Sequence, residues 1–325
     1  MITEEERIIR KSQGYDLGFE HNGKKYWINT NNWNDEKAEK LFRETGLKSF
    51  KEDEKATKLI LYNSEYFEVL QNAHRKFLRY IGDKESCIPQ PINISSMHEM
   101  FALCINLYTL DLSDWDVSAV EDISGIFRGC TNLVSLNINN WDISKVMNLR
   151  NAFFNCTNLT HLDLSAWNTS QVVDMSHMFS NCKSLTQLDL STWNASKVID
   201  MSHMFYQCTK IVSLNLSNWG VSEVKNLSGM FRGCENLTQI NLDNWDVSKV
   251  IRSLEMFYGC KNLSSLNLKN WDIFNMKDSQ HMFFQCGALY SKYHVEDGEE
   301  LINKIKEANN NLSELKVFGG DFCDN

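Results

Sequence analysis

The stretch MFSNCKSLTQLDLSTWNASKVIDMSHMF, from Met178 to Phe205, ends on the same dipeptide with which it begins. A 26-residue step leads from Phe179 to Phe205, and the same step separates the members of three residue columns without insertion or deletion. The columns are phenylalanine (Phe101, Phe127, Phe153, Phe179, Phe205, Phe231, Phe257, Phe283), cysteine (Cys104, Cys130, Cys156, Cys182, Cys208, Cys234, Cys260, Cys286) and tryptophan (Trp115, Trp141, Trp167, Trp193, Trp219, Trp245, Trp271). Eight copies in register predict a repeat protein.

Each copy carries the pattern Leu-x-x-Leu-x-Leu-x-x-Trp, which predicts a short strand. Leu188 and Leu190 alternate with polar residues and therefore lie on one face of that strand. Over residues 201–208 the apolar side chains are three and four apart, which predicts one or two helical turns. We therefore predict an α/β leucine-rich-repeat solenoid of eight strand-turn-helix copies over residues 96–290. In the copy quoted above, its core would contain Phe179, Cys182, Leu185, Leu188, Leu190, Trp193, Phe205 and Cys208.

These columns carry a resemblance to a known family. The segment LDLSTWNASKVIDMSHMF, with its Met-Phe, Cys and Leu-x-Leu columns, resembles the 26-residue repeat of the BspA-like leucine-rich-repeat surface proteins. The resemblance extends from about Met97 to Leu289, which is more than half of the chain. It implies adhesion or protein–protein recognition, and it brings no catalytic residues to this sequence.

The charge and the hydropathy of the chain exclude several classes of partner. Residues 1–95 carry 16 Lys/Arg and 16 Asp/Glu, residues 96–290 carry 13 and 18, and residues 291–325 carry 4 and 8. Because sequence-independent nucleic-acid binding needs a basic surface, we predict no nucleic-acid partner. The sequence contains no apolar run of transmembrane length and no apolar signal-peptide core, so we expect no membrane insertion.

The cysteine and histidine columns suggest metal binding, but their spacing favours a structural role. Successive thiols about 5 Å apart along a stack do not converge as the tetrahedral ligands of zinc do. We therefore expect each cysteine to fill a small buried slot as a free thiol. His177 and His203 could share a metal ion, yet Gly125 and Gly229 occupy the same column, which is typical of a solvent-exposed position. We predict no metal and no cofactor.

A polar ladder alternates with the strand leucines and comprises Asp111, Asn137, Asp163, Asp189, Asn215, Asn241 and Asn267. Hydrogen bonding between side chains along the stack explains this ladder without a ligand. The sequence contains no nucleophile–base pair, no glycine-rich phosphate loop and no His-Glu-x-x-His motif. We therefore predict no catalytic residues and a protein that is not an enzyme.

Two variable columns are candidates for partner binding, because variable columns of a solenoid can specify the partner. The first lies on the strand face, where the candidates are Tyr108, His161, Gln187 and Gln239. The second follows each phenylalanine directly and comprises Arg128, Phe154, Ser180, Tyr206, Arg232, Tyr258 and Phe284. Arg and aromatic residues are enriched at interface hot spots, and an unpaired Arg is costly to bury, so we expect this second column to be partly exposed. The alternative is that its aromatic side chains only cover the neighbouring turn.

The two ends of the chain differ from the repeats. In residues 1–95, the KKYWINT stretch predicts a strand, and the stretches at residues 34–46 and 63–82 predict helices closed by Gly46 and Gly82. We predict a small N-terminal capping or accessory domain there, α/β or mostly helical. Residues 291–325 would form a C-terminal cap with a helix N-capped by Asp297 and a last strand at LKVF.

Taken together, the sequence predicts a non-catalytic scaffold that binds a partner protein through the solenoid surface. Free thiols and the missing export signal favour the cytoplasm of its own cell or of a host cell. One alternative is an exported surface adhesin. Another is an N-terminal effector or toxin activity within residues 1–95, targeted by the repeats.

Overall fold

The computed structural model describes residues 17–21, 24–28, 67–71, 76–80, 94–268, 271 and 278–310. The chain divides into two units, the first formed by Met1–Asp83 with Ile88–Ile94 and the second by Lys84–Cys87 with Ser95–Asn325. The three-part division predicted from the sequence stays a prediction.

In the first unit the described residues form two antiparallel hairpins. Strand β1 (Leu17–His21) pairs with β2 (Lys24–Ile28), and β3 (Phe67–Gln71) pairs with β4 (Lys76–Tyr80). The strand predicted in the KKYWINT stretch is present as β2. The helix predicted for residues 34–46 lies outside the described residues.

The helix predicted over residues 63–82 is wrong, because β3 and β4 occupy this stretch. The register of the hairpin places Phe67 opposite Tyr80 and Leu70 opposite Phe77. Aromatic residues favour strands, and apolar cross-strand pairs are the unit that stabilises a sheet. An apolar spacing of three and four residues is therefore compatible with a helix. It is equally compatible with a hairpin, in which the apolar residues of one strand lie opposite those of the other.

In the second unit each coil pairs in parallel with the coil that follows it in the chain. Strand β5 (Thr109–Asp111) pairs with β6 (Ser135–Asn137), and β7 (Ser213–Asn215) pairs with β8 (Gln239–Asn241). A second ladder of single parallel bridges joins Ser96, Asp122, Asn148, Asp174, Asp200, Asn226, Arg252 and Asp278. This bridge ladder runs without a break. The strand predicted at Leu188 and Leu190 is wrong for that copy, because in the described part of the chain Gln187 makes no bridge to either neighbouring coil and the segment forms no strand. The predicted leucine-rich repeats are therefore present as stacked coils.

Between the bridge ladder and the next strand, the helical turn predicted in each copy is wrong for the described repeats. In residues 201–208 every second N–H donates to a carbonyl of the next coil at 2.7 to 3.0 Å, from Met201 to Asn226, His203 to Ser228, Phe205 to Met230 and Gln207 to Arg232. The N–H groups of Met204, Tyr206 and Cys208 bond three residues back within their own coil. The N–H of Ser202 donates to Oδ1 of Asp200 at 2.8 Å. An α-helix needs each N–H to bond four residues back, so the bonds between coils replace the helix.

Two positions of this turn segment have a left-handed backbone in all eight copies. In one copy they are His203 and Gln207, with φ of 55° and 58°, and in the next they are Gly229 and Gly233. Gly adopts this conformation without strain, and Asn and His are enriched in it among the other residues. A helix cannot contain two left-handed residues four positions apart, which is a second reason for the absence of helical turns in residues 94–268.

Two columns of the interior, phenylalanine and tryptophan, stack the same residue coil on coil. Neighbouring rings of the phenylalanine column lie with their centroids 5.4 to 5.6 Å apart. The residues predicted for the core are all at most 9% exposed, namely Phe179, Cys182, Leu185, Leu188, Leu190, Trp193, Phe205 and Cys208. Burying a phenylalanine side chain is worth about 1.5–3 kcal/mol relative to leaving it in water.

Polar atoms inside this core bond to the preceding coil. The indole Nε1 of Trp193 donates to the Leu164 carbonyl at 3.2 Å, and the Cys182 thiol donates to the Phe153 carbonyl at 3.2 Å. The same two bonds recur in other coils, although Nε1 of Trp167 is buried without a partner. Each bond avoids the cost of a buried unsatisfied group, about 1–3 kcal/mol.

Helices α1 (Gly287–Tyr293) and α2 (Gly298–Asn310) follow the last coil. The predicted N-cap is present, because Oδ1 of Asp297 accepts hydrogen bonds from the N–H groups of Glu299 at 2.9 Å and Glu300 at 2.8 Å. The predicted last strand at LKVF lies outside the described residues. None of the described helices is both long enough and apolar enough to cross a membrane.

Candidate binding surfaces

The strand face presents polar side chains to solvent. His161, Gln187 and Gln239 lie there with at least part of each side chain in contact with water, and Tyr108, just before β5, is 55% exposed. Thr109, Ser135 and Ser213 continue the same row and are exposed. His161, Gln187 and Gln239 therefore belong to one row with Thr109, Ser135 and Ser213, and Tyr108 flanks this row one residue before Thr109.

The polar ladder of the strand face mainly caps the turn that follows each strand. Oδ1 of Asp163 accepts hydrogen bonds from the N–H of Ser165 at 3.0 Å and from its hydroxyl at 2.7 Å, and Asp189 does the same with Ser191. These hydrogen bonds lower the pKa of both carboxyl groups. The predicted bonding along the stack occurs at Asn137, which donates to Asp111 at 3.1 Å. Most side chains of the ladder thus make their hydrogen bonds within their own coil.

The column after each phenylalanine lies on another part of the coil. Arg128, Phe154, Tyr206, Arg232 and Tyr258 are half-buried, and Phe284 is 41% exposed. Ser180 is the exception, because this small residue is 1% exposed. The predicted partial exposure is therefore present at every large side chain of the column.

Both arginines of this column are held by ion pairs with a neighbouring coil. Nε of Arg128 lies 2.9 Å from Oε1 of Glu99, and Nη1 of Arg232 bonds the Glu255 carboxylate. The Arg232 guanidinium lies 4.6 Å from the ring centroid of Tyr258 and 5.8 Å from that of Tyr206. A guanidinium over an aromatic ring is attracted by the ring quadrupole, so Arg232 is fixed in place before any partner arrives.

Two histidines join the aromatic side chains of this column. The rings of His177 and His203 stack in parallel with their centroids 4.7 Å apart. The ring centroids of Phe154 and His177 are 6.2 Å apart, and those of Tyr206 and His203 are 5.6 Å apart. Further along, Tyr258 stacks on Phe284 at 5.2 Å. We call this set the aromatic ridge: Phe154, His177, His203, Tyr206, Arg232, Tyr258 and Phe284.

The residue types of the histidine column follow its backbone conformation, and most of its members, unlike the exposed His281, are buried or half-buried. His177 and His203 are half-buried, and their positions are left-handed in every coil, with Gly125 and Gly229 at the same place. Glycine at 229 also leaves room for the His203 ring, whose Cδ2 atom would lie 2.7 Å from an added Cβ. The mixture of Gly, Asn, His and Glu was the signal of a left-handed backbone, and the sequence-based interpretation as simple exposure was wrong.

Burial keeps the stacked histidines neutral. It is the main cause that lowers the pKa of His177 from 6.5 to about 4, followed by the repulsion that a protonated His203 would exert and by the positive charge of Arg150. Burial, followed by the neighbouring Arg232, also lowers the pKa of His203. In the part of the chain that the structure describes, no three His, Cys, Asp or Glu side chains are grouped so that they could hold a metal ion.

The seven buried cysteines of the column, from Cys130 to Cys286, are unreactive. All eight described cysteines are free, and each one from Cys130 to Cys286 is buried. Burial raises the pKa of Cys182 and of Cys234 to about 12. A thiol acts as a nucleophile only as the thiolate, so these side chains serve packing.

Comparison with known proteins gives the family and two similar structures. The family described as "Mycoplasma protein of unknown function, DUF285" matches residues 95–213 and 185–295. The T. pallidum leucine-rich repeat protein TpLRR is 21% identical with a TM-score of 0.38, covering 62% of this chain and 89% of that chain. The TLR13–ssRNA13 complex is 14% identical with a TM-score of 0.18, covering 57% of this chain and 42% of that chain. No curated protein matches the chain. Because the two matched segments together span more than half of the sequence, the chain belongs to the DUF285 family.

Proposed function

We propose that this protein is a non-catalytic scaffold that binds a partner protein through the aromatic ridge. One observation carries the proposal: Tyr206, Arg232, Tyr258 and Phe284 form a continuous, partly exposed row in which each side chain is held by the next. Arg and Tyr are the residue types enriched at interface hot spots. Side chains that are already ordered lose less conformational entropy when a partner binds.

The strand face supports binding less well. Its candidates His161, Gln187 and Gln239 are separate polar side chains, and its carboxylates already accept hydrogen bonds from their own turns. Polar groups of this kind gain little when a partner replaces water. We therefore propose the ridge as the main contact and the strand face as its flank.

The experiment compares the full chain with two matched variants as baits for partner capture. One variant changes Tyr206→Ala, Arg232→Ala and Tyr258→Ala on the ridge, and the other changes His161→Ala, Gln187→Ala and Gln239→Ala on the strand face. We expect the ridge variant to lose its specific partners, with affinity falling at least tenfold, and the strand-face variant to retain them. Ridge substitutions that leave the affinity for an isolated partner unchanged would remove the ridge from consideration.

We also propose that the protein acts inside a cell, its own or a host's, with an exported adhesin as the alternative. The buried, unreactive thiols are compatible with both settings, because burial protects them from oxidation. The kinship to BspA-like surface proteins, proposed from the Met-Phe, Cys and Leu-x-Leu columns, would favour the adhesin. Protease treatment of intact cells separates the two, since only an adhesin would be cleaved. An effector activity in residues 1–95 stays a third proposal, and most of that segment lies outside the described residues.

A further inference from the structure

A cavity of about 400 Å³ lies between the last coil and the start of α2, where the aromatic ridge ends. Gln280, His281 and Phe284 line it from the coil, and Asp297, Glu299 and Asn303 line it from the helix side. Two of these side chains are carboxylates, and none of the described lining residues is a Lys or an Arg. The cavity therefore has the charge that complements a cation.

The walls of the cavity are fixed by close contacts between α2 and the last coil. Gly298 is buried, and a Cβ at this position would lie 2.9 Å from the carbonyl carbon of Phe283 and 3.1 Å from the backbone nitrogen of Phe284. The Tyr290 hydroxyl of α1 donates to the Phe283 carbonyl. This close backbone packing holds the start of the helix against the last coil, which forms the wall of the cavity.

The helix start itself does not favour an anion here. An uncapped helix N-terminus attracts anions through its N–H groups. In α2, Asp297 already accepts the N–H groups of Glu299 and Glu300, and the Glu300 carboxylate accepts the N–H of Glu296 at 2.7 Å. The N–H groups of Glu299 and Glu300 are therefore already bonded to a carboxylate, and the negative charges of Asp297 and Glu299 favour a cation in the cavity.

An aromatic corner completes the cavity. The ring of Phe284 meets the ring of His281 edge-on, with centroids 5.7 Å apart and an interplanar angle of 78°. Phe284 also stacks on Tyr258, which makes the cavity continuous with the ridge. Aromatic rings beside carboxylates recognise guanidinium and ammonium groups through cation–π attraction and charge-assisted hydrogen bonds.

We infer that this cavity is a site for a cationic side chain, Arg or Lys, presented by a protein that docks on the aromatic ridge. The inference rests on the proposed function. It adds the chemistry that the partner must offer at the C-terminal end of the ridge. A single basic side chain placed here would also fix the direction in which the partner lies along the coils.

The test is an NMR titration of the isotopically labelled full chain with the peptide acetyl-Gly-Arg-Gly-amide. We expect saturable, millimolar shifts centred on the amides of Phe284 and Glu299, similar shifts with the lysine peptide, and none with the peptide in which neutral citrulline replaces arginine. The double variant Asp297→Asn with Glu299→Gln should weaken arginine-peptide binding at least fivefold. Asparagine retains the N-cap, so the helix is preserved. Glu296→Gln, which removes an exposed carboxylate outside the cavity lining, should bind like the wild type.

Two outcomes would overturn the inference: an arginine peptide that produces no saturable shift, or a citrulline peptide that binds equally well. Because the citrulline comparison uses the unaltered chain, it decides the question even if the double variant fails to fold. A failure of the proposed function gives a different result. If the ridge does not bind the partner but the cavity does bind a cation, the arginine peptide binds, while the variant with Tyr206→Ala, Arg232→Ala and Tyr258→Ala keeps all its partners.

Discussion

The phenylalanine column and the column directly after it are neighbours in every coil, yet they differ in burial and in how much their residues vary. Phe179 and Phe205 are fully buried, and their column holds the same residue in all eight copies. The next column holds Ser180, Tyr206 and Arg232 in successive copies and is mostly half-exposed. The phenylalanine column is invariant because the interior is close-packed and the same ring fills the space between each pair of coils. Outside, the ion pairs and ring contacts can be met by several residue types, which leaves this column able to differ from coil to coil.

The largest difference between the two columns should appear in stability. Phe179→Ala removes a fully buried ring from a continuous stack and should lower the free energy of unfolding by about 3–5 kcal/mol. Tyr206→Ala, one residue past the next phenylalanine, should lower it by less than about 1 kcal/mol. Urea denaturation followed by circular dichroism measures both. Equal losses would show that the ridge belongs to the core.

An intermediate effect is expected where the ridge depends on a glycine. Gly229→Ala places a Cβ against the His203 ring at a residue with φ of 61°, and should cost about 1–2 kcal/mol of stability. The matched control is Gly259→Ala, which is also left-handed but has no atom closer than 3.8 Å to the added Cβ. The control should lose less stability than Gly229→Ala. Adding His203→Ala to the Gly229→Ala variant removes the ring contact and should restore its stability to that of the control. A Gly229 variant no less stable than the control would contradict the ring contact.

The smallest effect concerns pH. The pKa of His177 is about 4 in the folded chain against 6.5 for an ordinary histidine, so between these values the unfolded chain binds the additional proton. Stability should therefore fall as pH falls from about 6.5 towards 4, by a modest amount because His177 is half-exposed. His177→Asn, which copies Asn151 of the preceding coil, should reduce this slope. Denaturation midpoints of both proteins at pH 7.5 and 5.0 test this prediction. If stability depends on pH as strongly in the variant as in the wild type, a group other than His177 causes the dependence.

Some features of the molecule could be predicted from the sequence because each pattern is compatible with only one local structure. The 26-residue step brings identical residues together only if the coils stack, and the Leu-x-Leu alternation gives a strand with one buried face in copies such as those that contain β5 and β7. The N-cap at Asp297 was also predictable, since its side chain acts on residues two and three positions away.

The wrong predictions of helices have one physical cause, which is that the structure depends on contacts between residues distant in the chain. The stretch at residues 63–82 satisfies a helical spacing, but its apolar residues pair across a hairpin. The turn segment at residues 201–208 also has a helical spacing, but its alternate N–H groups bond carbonyls of the next coil, such as Asn226 and Ser228. Local propensity cannot report a partner of that kind, and tertiary contacts override it.

The sequence by itself determined the repeat, the buried columns and the residue types available for binding, because periodicity is a property of the chain alone. Only the tertiary structure decided which side chains meet. It brought His177 and His203 into one stack, placed Arg232 between two tyrosines, and set Asp297 and Glu299 beside Phe284. Those contacts join residues in different coils, or a coil and a helix, and their geometry is fixed by backbone hydrogen bonds that no local pattern encodes.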